Sequence, residues 1–248
     1  MIRFDNVTRN YGSKVAVADL ALAVPPGELF AFLGPNGAGK TTAIKMLVGL
    51  LRPTAGRVFV CGCDTTLDPR QAARHLGYVP DEPYLYEKLS GREFLEFVAQ
   101  MRGLGRPETA RRIARQSDVF ELGEFLDDLT ETYSHGMRQR LVFAAALLHD
   151  PPVVVVDEPM VGLDPKSVRL VKDLLRAQAS AGAAVFMSTH TLSIVEEIAD
   201  RIGIIDRGRL SFLGTLQELR EAMASDHCSL EHLFLERTGN HNPSIPGT

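Results

Sequence analysis

Residues 34–42 have the composition and spacing of a phosphate-binding loop. The pattern Gly-x-x-x-x-Gly-Lys-Thr follows an apolar run at residues 29–33 and precedes a helical pattern at residues 43–51, a context that argues against an ordinary glycine turn. Glycines allow successive backbone N–H groups to converge on phosphate oxygens, and the N-terminus of the next helix adds partial positive charge. Lys40 is predicted to reach the terminal phosphates, and Thr41 to hold Mg²⁺. The predicted nucleotide-binding residues of this segment are Gly34, Pro35, Asn36, Gly37, Ala38, Gly39, Lys40, Thr41 and Thr42.

Two acidic residues end a second apolar run. Residues 153–156 are four valines, and Asp157 and Glu158 follow them. Taken alone, such a pair is more often a solvated turn. Open α/β sheets, however, bind ligands at the carboxyl ends of their strands, where carboxylates serve Mg²⁺ beside a phosphate loop. We therefore predict that Asp157 holds the metal and that Glu158 polarises the attacking water or accepts its proton.

A histidine follows a third apolar run, at residues 183–187. Ser188, Thr189 and His190 close this run, so their side chains are expected at the same sheet edge. A single histidine at a strand end is more often a surface or satisfied core residue. Beside the other two motifs, His190 becomes a candidate donor to the γ-phosphate. The predicted catalytic residues are Lys40, Glu158 and His190.

These side chains require a sheet whose strands end together. The three continuous apolar runs are typical of parallel strands covered on both faces, whereas residues 2–7 and 15–24 alternate as half-exposed antiparallel strands do. Between residues 83 and 150 helical patterns replace strand patterns. A capping box at Ser90 opens a helix to about residue 101, and a second helix runs from about residue 134 to 148. We predict an α/β fold with a mainly parallel sheet, an N-terminal antiparallel part and an inserted helical subdomain.

Composition excludes several classes of protein. The 248 residues carry 27 Lys+Arg against 31 Asp+Glu, a net charge of −4 without a long run of either sign, which disfavours nucleic acid as the main partner. Hydrophobic residues are 45% and charged residues 23%, which argues against disorder or a fibrous repeat. Three cysteines, Cys61, Cys63 and Cys228, lack the companions of a zinc site and are expected to be buried or idle thiols. Without an apolar leader or a run of membrane-spanning length, we expect a cytosolic chain.

The order of the motifs resembles that of the ATP-binding cassette (ABC) family over about residues 1–235. Residues 133–140, Tyr-Ser-His-Gly-Met-Arg-Gln-Arg, are similar to the family's signature motif, usually Leu-Ser-Gly-Gly-Gln, and lie shortly before the Asp157 strand as expected. Alone, Ser134 is a helix N-cap; a capped helix N-terminus is also an anion site, so both interpretations hold. The resemblance implies that Ser134, His135 and Gly136 face the γ-phosphate bound by the opposite subunit.

Two further positions match the family and three depart from it. Tyr11 resembles the aromatic residue that stacks on adenine, although a tyrosine in a turn is otherwise a packing residue. Asp164 resembles the aspartate of the family's loop that crosses between subunits, and Asp164 followed by proline is also typical of the start of a helix. Asp81 stands where the family usually has Gln, and would reach Mg²⁺ while adding negative charge beside phosphates. His135 replaces the second signature glycine and Met137 the signature Gln.

The resemblance implies a P-loop NTPase (RecA-like) core and an ATPase that uses ATP and Mg²⁺. It further implies a subunit that dimerises around two ATP and drives a separate transmembrane permease in export, as in the single-cassette subunits of drug, polysaccharide or lipid exporters. Because one chain has one phosphate loop and one signature, the second ATP-binding subunit is expected to be another copy. The permease would hold the chain on the inner face of the cell membrane, with no direct contact to membrane or nucleic acid.

Three other classes of protein share some of these motifs. A DNA-repair or chromosome-organising ATPase would need a long coiled coil between loop and signature, but residues 42–132 are too short and contain five prolines. A soluble regulatory or translation-associated ABC ATPase, which usually has two cassettes in one chain, remains the alternative. A catalytically silent binding module would require the loss of Lys40, Asp157 or Glu158, and all three are present.

We predict that residues 1–248 form a single nucleotide-binding domain. The α/β ATPase core would comprise residues 1–82 and 151–215, the helical subdomain residues 83–150, the C-terminal helices residues 216–237, and a flexible tail residues 238–248. A Pro-bounded loop carrying Tyr84 and Tyr86 joins the ATP site to the first subdomain helix. Helical spacing places Phe94, Phe97 and Val98 on one face that is expected to pack inward, while the two tyrosines are predicted to contact the permease.

Overall fold

The structure is a computed structural model that describes residues 1–224. Of the C-terminal helices predicted over residues 216–237, the structure describes the helical segment that begins at Leu216. The rest of that range, the tail at residues 238–248 and Cys228 lie outside the described residues. Cys61 and Cys63 are free, half-buried thiols.

The described strands belong to two sheets. They are β1 (Ile2–Tyr11), β2 (Lys14–Val24), β3 (Leu29–Leu33), β4 (Ala55–Val60), β5 (Cys63–Asp64), β6 (Leu76–Val79), β7 (Val153–Asp157), β8 (Ala184–Thr189), β9 (Arg201–Asp206) and β10 (Arg209–Gly214). The first sheet has the order β2-β1-β4-β5 and is antiparallel throughout. The second has the order β10-β9-β3-β8-β7-β6, with parallel pairing except at the β9–β10 edge. The predicted α/β fold, with its mainly parallel sheet and N-terminal antiparallel part, is confirmed.

Helices fill the connections between strands. They are α1 (Lys40–Leu47), α2 (Pro69–Arg74), α3 (Gly91–Met101), α4 (Arg106–Val119), α5 (His135–Leu147), α6 (Pro165–Ser180), α7 (Leu192–Ile198) and α8 (Leu216–Ala224). The segment between β6 and β7 contains α3, α4 and α5, with a short 3-10 turn before α5. This is the stretch where the sequence predicts helices in place of strands.

Side-chain caps explain where two of these helices begin. The hydroxyl of Ser90 accepts a hydrogen bond from the Glu93 N–H, and the Glu93 carboxylate accepts one from the Ser90 N–H, so the predicted capping box opens α3. Ser134 caps α5 by accepting a bond from the Met137 N–H. The helix α1 ends at Leu47, earlier than the apolar pattern to residue 51 predicts, because Gly49 adopts a positive φ of 78° that turns the chain.

The six-stranded sheet separates two apolar clusters. Alternate residues of β3 enter opposite clusters, with Ala31 on one face and Phe30 and Phe32 on the other. Phe186 of β8 packs 5.4 Å from both of those rings and 6.1 Å from Phe4 of β1, which joins the two sheets. Burying each such ring stabilises the fold by about 1.5–3 kcal/mol. The parallel strands are thus held on both faces, and their carboxyl ends are fixed relative to one another.

Candidate active site

The carboxyl ends of three neighbouring strands carry the predicted catalytic segments. The order β3-β8-β7 makes them adjacent, although they are far apart in the chain. Leu33 pairs with Thr189, and Asp157 pairs with Ser188. The phosphate loop, the Asp157–Glu158 pair and His190 therefore leave the sheet at the same edge, as the three apolar runs predict.

Close backbone packing explains the glycines of the phosphate loop. A Cβ on Gly34 would lie 2.4 Å from the Ile205 carbonyl oxygen, and one on Gly39 would lie 2.5 Å from the Ala16 carbonyl oxygen. Gly39 also has a φ of 114°, which side-chain-bearing residues rarely adopt. It is the N-cap of α1, and no side chain caps this helix. The first N–H groups of α1 thus suit phosphate oxygens as acceptors.

Lys40, Glu158 and His190 form a continuous chain of contacts. The buried Lys40 ammonium donates to the Gly34 carbonyl at 2.7 Å and to the Pro35 carbonyl at 3.2 Å. It also lies 3.2 Å from Oε1 of Glu158, an ion-pair distance without hydrogen-bond geometry. Oε2 of Glu158 lies 3.0 Å from Nδ1 of His190. The three residues predicted to be catalytic are therefore brought together, and their roles stay predictions.

Ser188 organises the acidic pair and was not predicted as a site residue. Its hydroxyl donates to Oδ1 of Asp157 at 2.5 Å and accepts a bond from the Glu158 N–H at 3.1 Å. Asp157 is only 1% exposed, so this bond satisfies a carboxylate that water hardly reaches. Glu158 has a φ of 48°, in the left-handed region that is unfavourable for a residue with a Cβ. A polar residue ending a buried strand was the available sequence signal for Ser188.

Asp81 adds a third carboxyl group to this edge. Burial raises its pKa above the ordinary value, and the charges of Asp157 and Glu158 raise it further, against a smaller opposite effect of His190. The same environment, burial first and then Asp157 and Asp81, raises the pKa of Tyr78 to about 12. Dense negative potential of this kind is where a divalent cation is stabilised.

The donor set suits a metal shared with a nucleotide. Among residues 1–224, no three His, Cys, Asp or Glu side chains converge closely enough to ligate one ion unaided. Mg²⁺ is typically bound by one or two carboxylates together with phosphates and water. Thr41, Asp81 and Asp157 are consistent with that arrangement, because Thr41 and Asp81 line the same cavity and Asp157 ends β7 directly before Glu158, which also lines it.

A cavity of about 630 Å³ extends from the phosphate loop to Tyr11. The Arg9 guanidinium stacks on one face of the Tyr11 ring, with its carbon 4.8 Å from the ring centre. Lys14 and Arg207 also line this cavity and were not predicted to do so. The residues that line it are Tyr11, Lys14, Val15, Ala16, Asn36, Gly37, Gly39, Lys40, Thr41, Thr42, Asp81, Glu158, Arg207 and Gly208.

The signature-like segment lies apart from this cavity. Ser134, His135, Gly136 and Asp164 are not among its lining residues in the described chain. Ser134 caps α5, and Asp164 caps α6 by accepting bonds from the N–H groups of the first turn. One chain therefore does not bring the signature to its own phosphate loop.

Exposed aromatic residues lie next to Asp81 in the chain. Tyr84 is 78% exposed, and its ring meets that of Tyr86 edge-on at 5.9 Å. The prediction that Phe97 packs inward is wrong: it is 39% exposed and meets Tyr86 edge-on at 5.6 Å. Phe94 is buried and Val98 is half-buried against the core, as predicted, and Leu95 takes the inward position expected of Phe97, because the stripe that meets the core is rotated relative to the predicted face.

A strand–loop–helix phosphate site, with an Asp-Glu pair on a neighbouring parallel strand, defines the class of phosphate-loop NTPases. The family model for the ABC transporter matches residues 17–161. The daunorubicin/doxorubicin resistance ATP-binding protein DrrA of Streptomyces peucetius is 39% identical over 225 residues, 91% of this chain and 68% of DrrA. This chain belongs to the ABC transporter family, and it is an ATPase, as the resemblance predicted.

Solved structures agree with this assignment. An ATP-binding subunit of an ABC transporter superimposes with a TM-score of 0.89 at 32% identity, covering 96% of this chain and 99% of that chain. The dimeric structure of MJ0796, a bacterial ABC transporter cassette, gives a TM-score of 0.78 at 26% identity, covering 87% and 99%. Within residues 1–224, no helix has the length and apolar character needed to cross a bilayer.

Proposed function

We propose that this chain is the ATP-binding and hydrolysing subunit of an exporter, that it dimerises around two ATP, and that it drives a separate transmembrane permease. The observation that carries the proposal is the separation of the signature-like segment from the cavity that holds Lys40. A nucleotide in that cavity is completed by Ser134 and Gly136 only if a second chain supplies them. A two-fold pair satisfies both sites at once, since each surface then meets its counterpart. The dimeric cassette and the drug-resistance relative support this arrangement.

Each part of the cavity has a proposed role in binding. Tyr11 stacks on the adenine with the face that Arg9 leaves free. The loop N–H groups and Lys40 hold the phosphates, and Thr41, Asp157 and Asp81 hold Mg²⁺. The metal, when bound, supplies charge neutralisation at the β- and γ-phosphates. Asp164 lies in the loop that would cross to the partner subunit, and His135 lies beside the residues that would meet the partner's nucleotide.

Hydrolysis is proposed to use Glu158 and His190. Lys40 sits between the loop carbonyls and Oε1 of Glu158, so phosphate oxygens that engage Lys40 would take the place of that carboxylate oxygen. Glu158 is then available to orient a water and accept its proton, while His190 donates to the γ-phosphate. The chemistry is phosphoryl transfer to water, achieved by positioning and charge stabilisation.

The permease is proposed to dock at the loop of Tyr84 and Tyr86. These rings form an exposed aromatic group with Phe97 of α3, and the loop that carries them follows Asp81, which lines the nucleotide cavity. Aromatic residues are common anchors of protein interfaces. A shift of Asp81 on nucleotide binding would therefore be felt at this surface. The chain would act in the cytoplasm, on the inner face of the cell membrane, and reach the membrane only through the permease.

The substitution Glu158→Gln tests the mechanism. It should leave ATP binding intact and abolish turnover, because an amide of the same size accepts no proton, and ATP-bound dimers should accumulate on a sizing column. The matched control is Glu124→Gln, an exposed residue on the helical side of the chain, which should hydrolyse ATP as the wild type does. Wild-type steady-state hydrolysis by Glu158→Gln would remove Glu158 from the proton-accepting role. A neighbouring reading frame with several apolar spans would support transport over the soluble alternative.

A further inference from the structure

The first two turns of α5 reach the loop that follows Glu158. Nε2 of His135 lies 3.3 Å from the Val161 carbonyl oxygen, and Nε2 of Gln139 donates to the Pro159 carbonyl oxygen at 3.4 Å. Residues four apart share one face of a helix, so both contacts come from the same side of α5. A carbonyl only accepts, and His135 must therefore carry its hydrogen on Nε2 in this contact.

The loop is shaped to receive the imidazole ring. Gly162 has a φ of 73°, in the region that favours glycine, and a Cβ there would lie 3.3 Å from Nε2 of His135. The chain turns on either side of it, because the Val161 N–H bonds to the Glu158 carbonyl and the Leu163 N–H to the Met160 carbonyl. The ring thus lies against the one position of the loop that has no side chain.

The two contacts differ in burial. Gln139 is 4% exposed and belongs to the packed interior, whereas the His135 hydrogen bond is exposed at the surface. Loss of Gln139 would disturb the core as well as the loop. Loss of the His135 ring would remove a contact with the loop and little else, which makes His135 the residue whose function can be separated from folding.

We propose that His135 is a positioning residue that links the N-terminus of α5 to the loop of residues 158–164 in the same chain. The inference rests on the proposed function, in which Ser134 meets the nucleotide of the partner subunit. Ser134 precedes His135 directly, and Glu158 begins the loop that the imidazole holds. Contact of Ser134 with the partner's phosphate would therefore reach the loop that follows Glu158 in this chain, through the contact of the imidazole with Val161. A glycine, the residue usual at this signature position, has no side chain to make this connection.

The test compares His135→Ala with His135→Gln in the purified full-length chain. Alanine removes the donor, and glutamine places an amide N–H that reaches the same carbonyl. We expect His135→Ala to lower kcat for ATP hydrolysis about tenfold, since misplacement of a catalytic group by about 1 Å can cost about a hundredfold and the loss of one contact moves it less. The KM should change by less than about threefold, because the lost contact serves the transition state more than binding. His135→Gln should restore kcat to within about threefold of the wild type.

Hydrogen exchange measures the link without turnover. Amides of residues 160–164 should exchange faster in His135→Ala than in the wild type, and His135→Gln should restore their protection. Unchanged kcat and unchanged exchange in His135→Ala would overturn the inference, as would equal loss of kcat in both variants. The proposed function has its own check: if Lys40→Ala hydrolyses ATP at the wild-type rate, that function fails, while the exchange result still decides whether the link exists.

Discussion

Removal of one hydroxyl group beneath the site should measurably destabilise the fold. Ser188 is fully buried, and its Oγ donates to the Asp157 carboxylate at 2.5 Å while accepting from the Glu158 N–H at 3.1 Å. The substitution Ser188→Ala leaves the buried carboxylate without this donor and creates almost no cavity. Its effect therefore isolates the bond between the hydroxyl and Asp157.

The size of the effect follows from the two bonds. A hydrogen bond to a charged group contributes about 1.5–3 kcal/mol, and loss of a partner for a buried group falls at the upper end of that range. The Glu158 N–H keeps a second acceptor, the Ser188 carbonyl at 3.2 Å, so its contribution is small. We expect the free energy of unfolding to fall by about 2–3 kcal/mol. At about 2–4 °C per kcal/mol for a chain of this length, Tm should fall by about 4–12 °C.

Urea titration and thermal melting of the purified chain without nucleotide give both quantities. The matched control is Ser180→Ala, at the exposed end of α6, which should stay within about 0.5 kcal/mol of the wild type. If Ser188→Ala is as stable as Ser180→Ala, the Ser188 hydroxyl does not stabilise the Asp157 carboxylate, and its role in organising the acidic pair is refuted.

Three other predictions concern activity, pH and the partner. Asp81→Gln should keep ATPase activity within about a hundredfold of the wild type, because Asp81 positions metal or water and transfers no proton. Burial lowers the pKa of His149 from 6.5 to about 4. Between those values the unfolded chain takes up a proton that the native chain does not, so stability should fall as pH falls, and urea titrations at about pH 7.5 and pH 5 should show a shallower fall for His149→Phe. Tyr84→Ala with Tyr86→Ala should weaken recruitment to membranes containing the co-expressed permease, while leaving ATP binding unchanged.

Each of these has a contrary outcome. A larger loss in Asp81→Gln would assign proton transfer to that residue. Equal pH dependence in the wild type and His149→Phe would show that another group titrates. For the tyrosines, Leu67→Ala is the control, since it removes an exposed apolar side chain elsewhere on the surface. Wild-type membrane levels of the double variant, or an equal loss of ATP binding, would make the two rings structural.

The elements with strong local signals were predictable from the sequence, and the weakly patterned ones were not. Continuous apolar runs predicted β3, β7 and β8, and capping residues predicted the starts of α3 and α5. The helix α4 escaped prediction because its sequence is mostly polar, and Ile113 and Gln116 are its buried residues. The strands β9 and β10 are joined by a turn in which Arg207 adopts a positive φ of 46°. Arginine is not a residue that predicts such a conformation, so the sequence at this position did not indicate the turn.

The contacts of the candidate site were likewise predictable only in part. The meeting of Lys40, Glu158 and His190 was predictable because parallel strands end at one sheet edge. The contacts of Ser188 and His135 were not, since they depend on which strands are neighbours and on the left-handed turn at Gly162, and neither is expressed in local periodicity. Long-range pairing decides such contacts, and a sequence pattern reports only on its own segment.

The charges of the site indicate the form in which a nucleotide is accepted. Asp81, Asp157 and Glu158 lie at one edge, and the Lys40 ammonium lies 3.2 Å from Oε1 of Glu158. Burial raises the pKa of Asp81, and the charges of Asp157 and Glu158 raise it further, so this edge disfavours added negative charge. Like charges about 4 Å apart repel by about 4 kcal/mol at the effective dielectric of a protein surface, so carboxylates beside a bare polyphosphate would oppose its binding. We therefore propose that the cavity favours a nucleotide that arrives with its own cation, because the cation offsets the repulsion between the phosphates and these carboxylates.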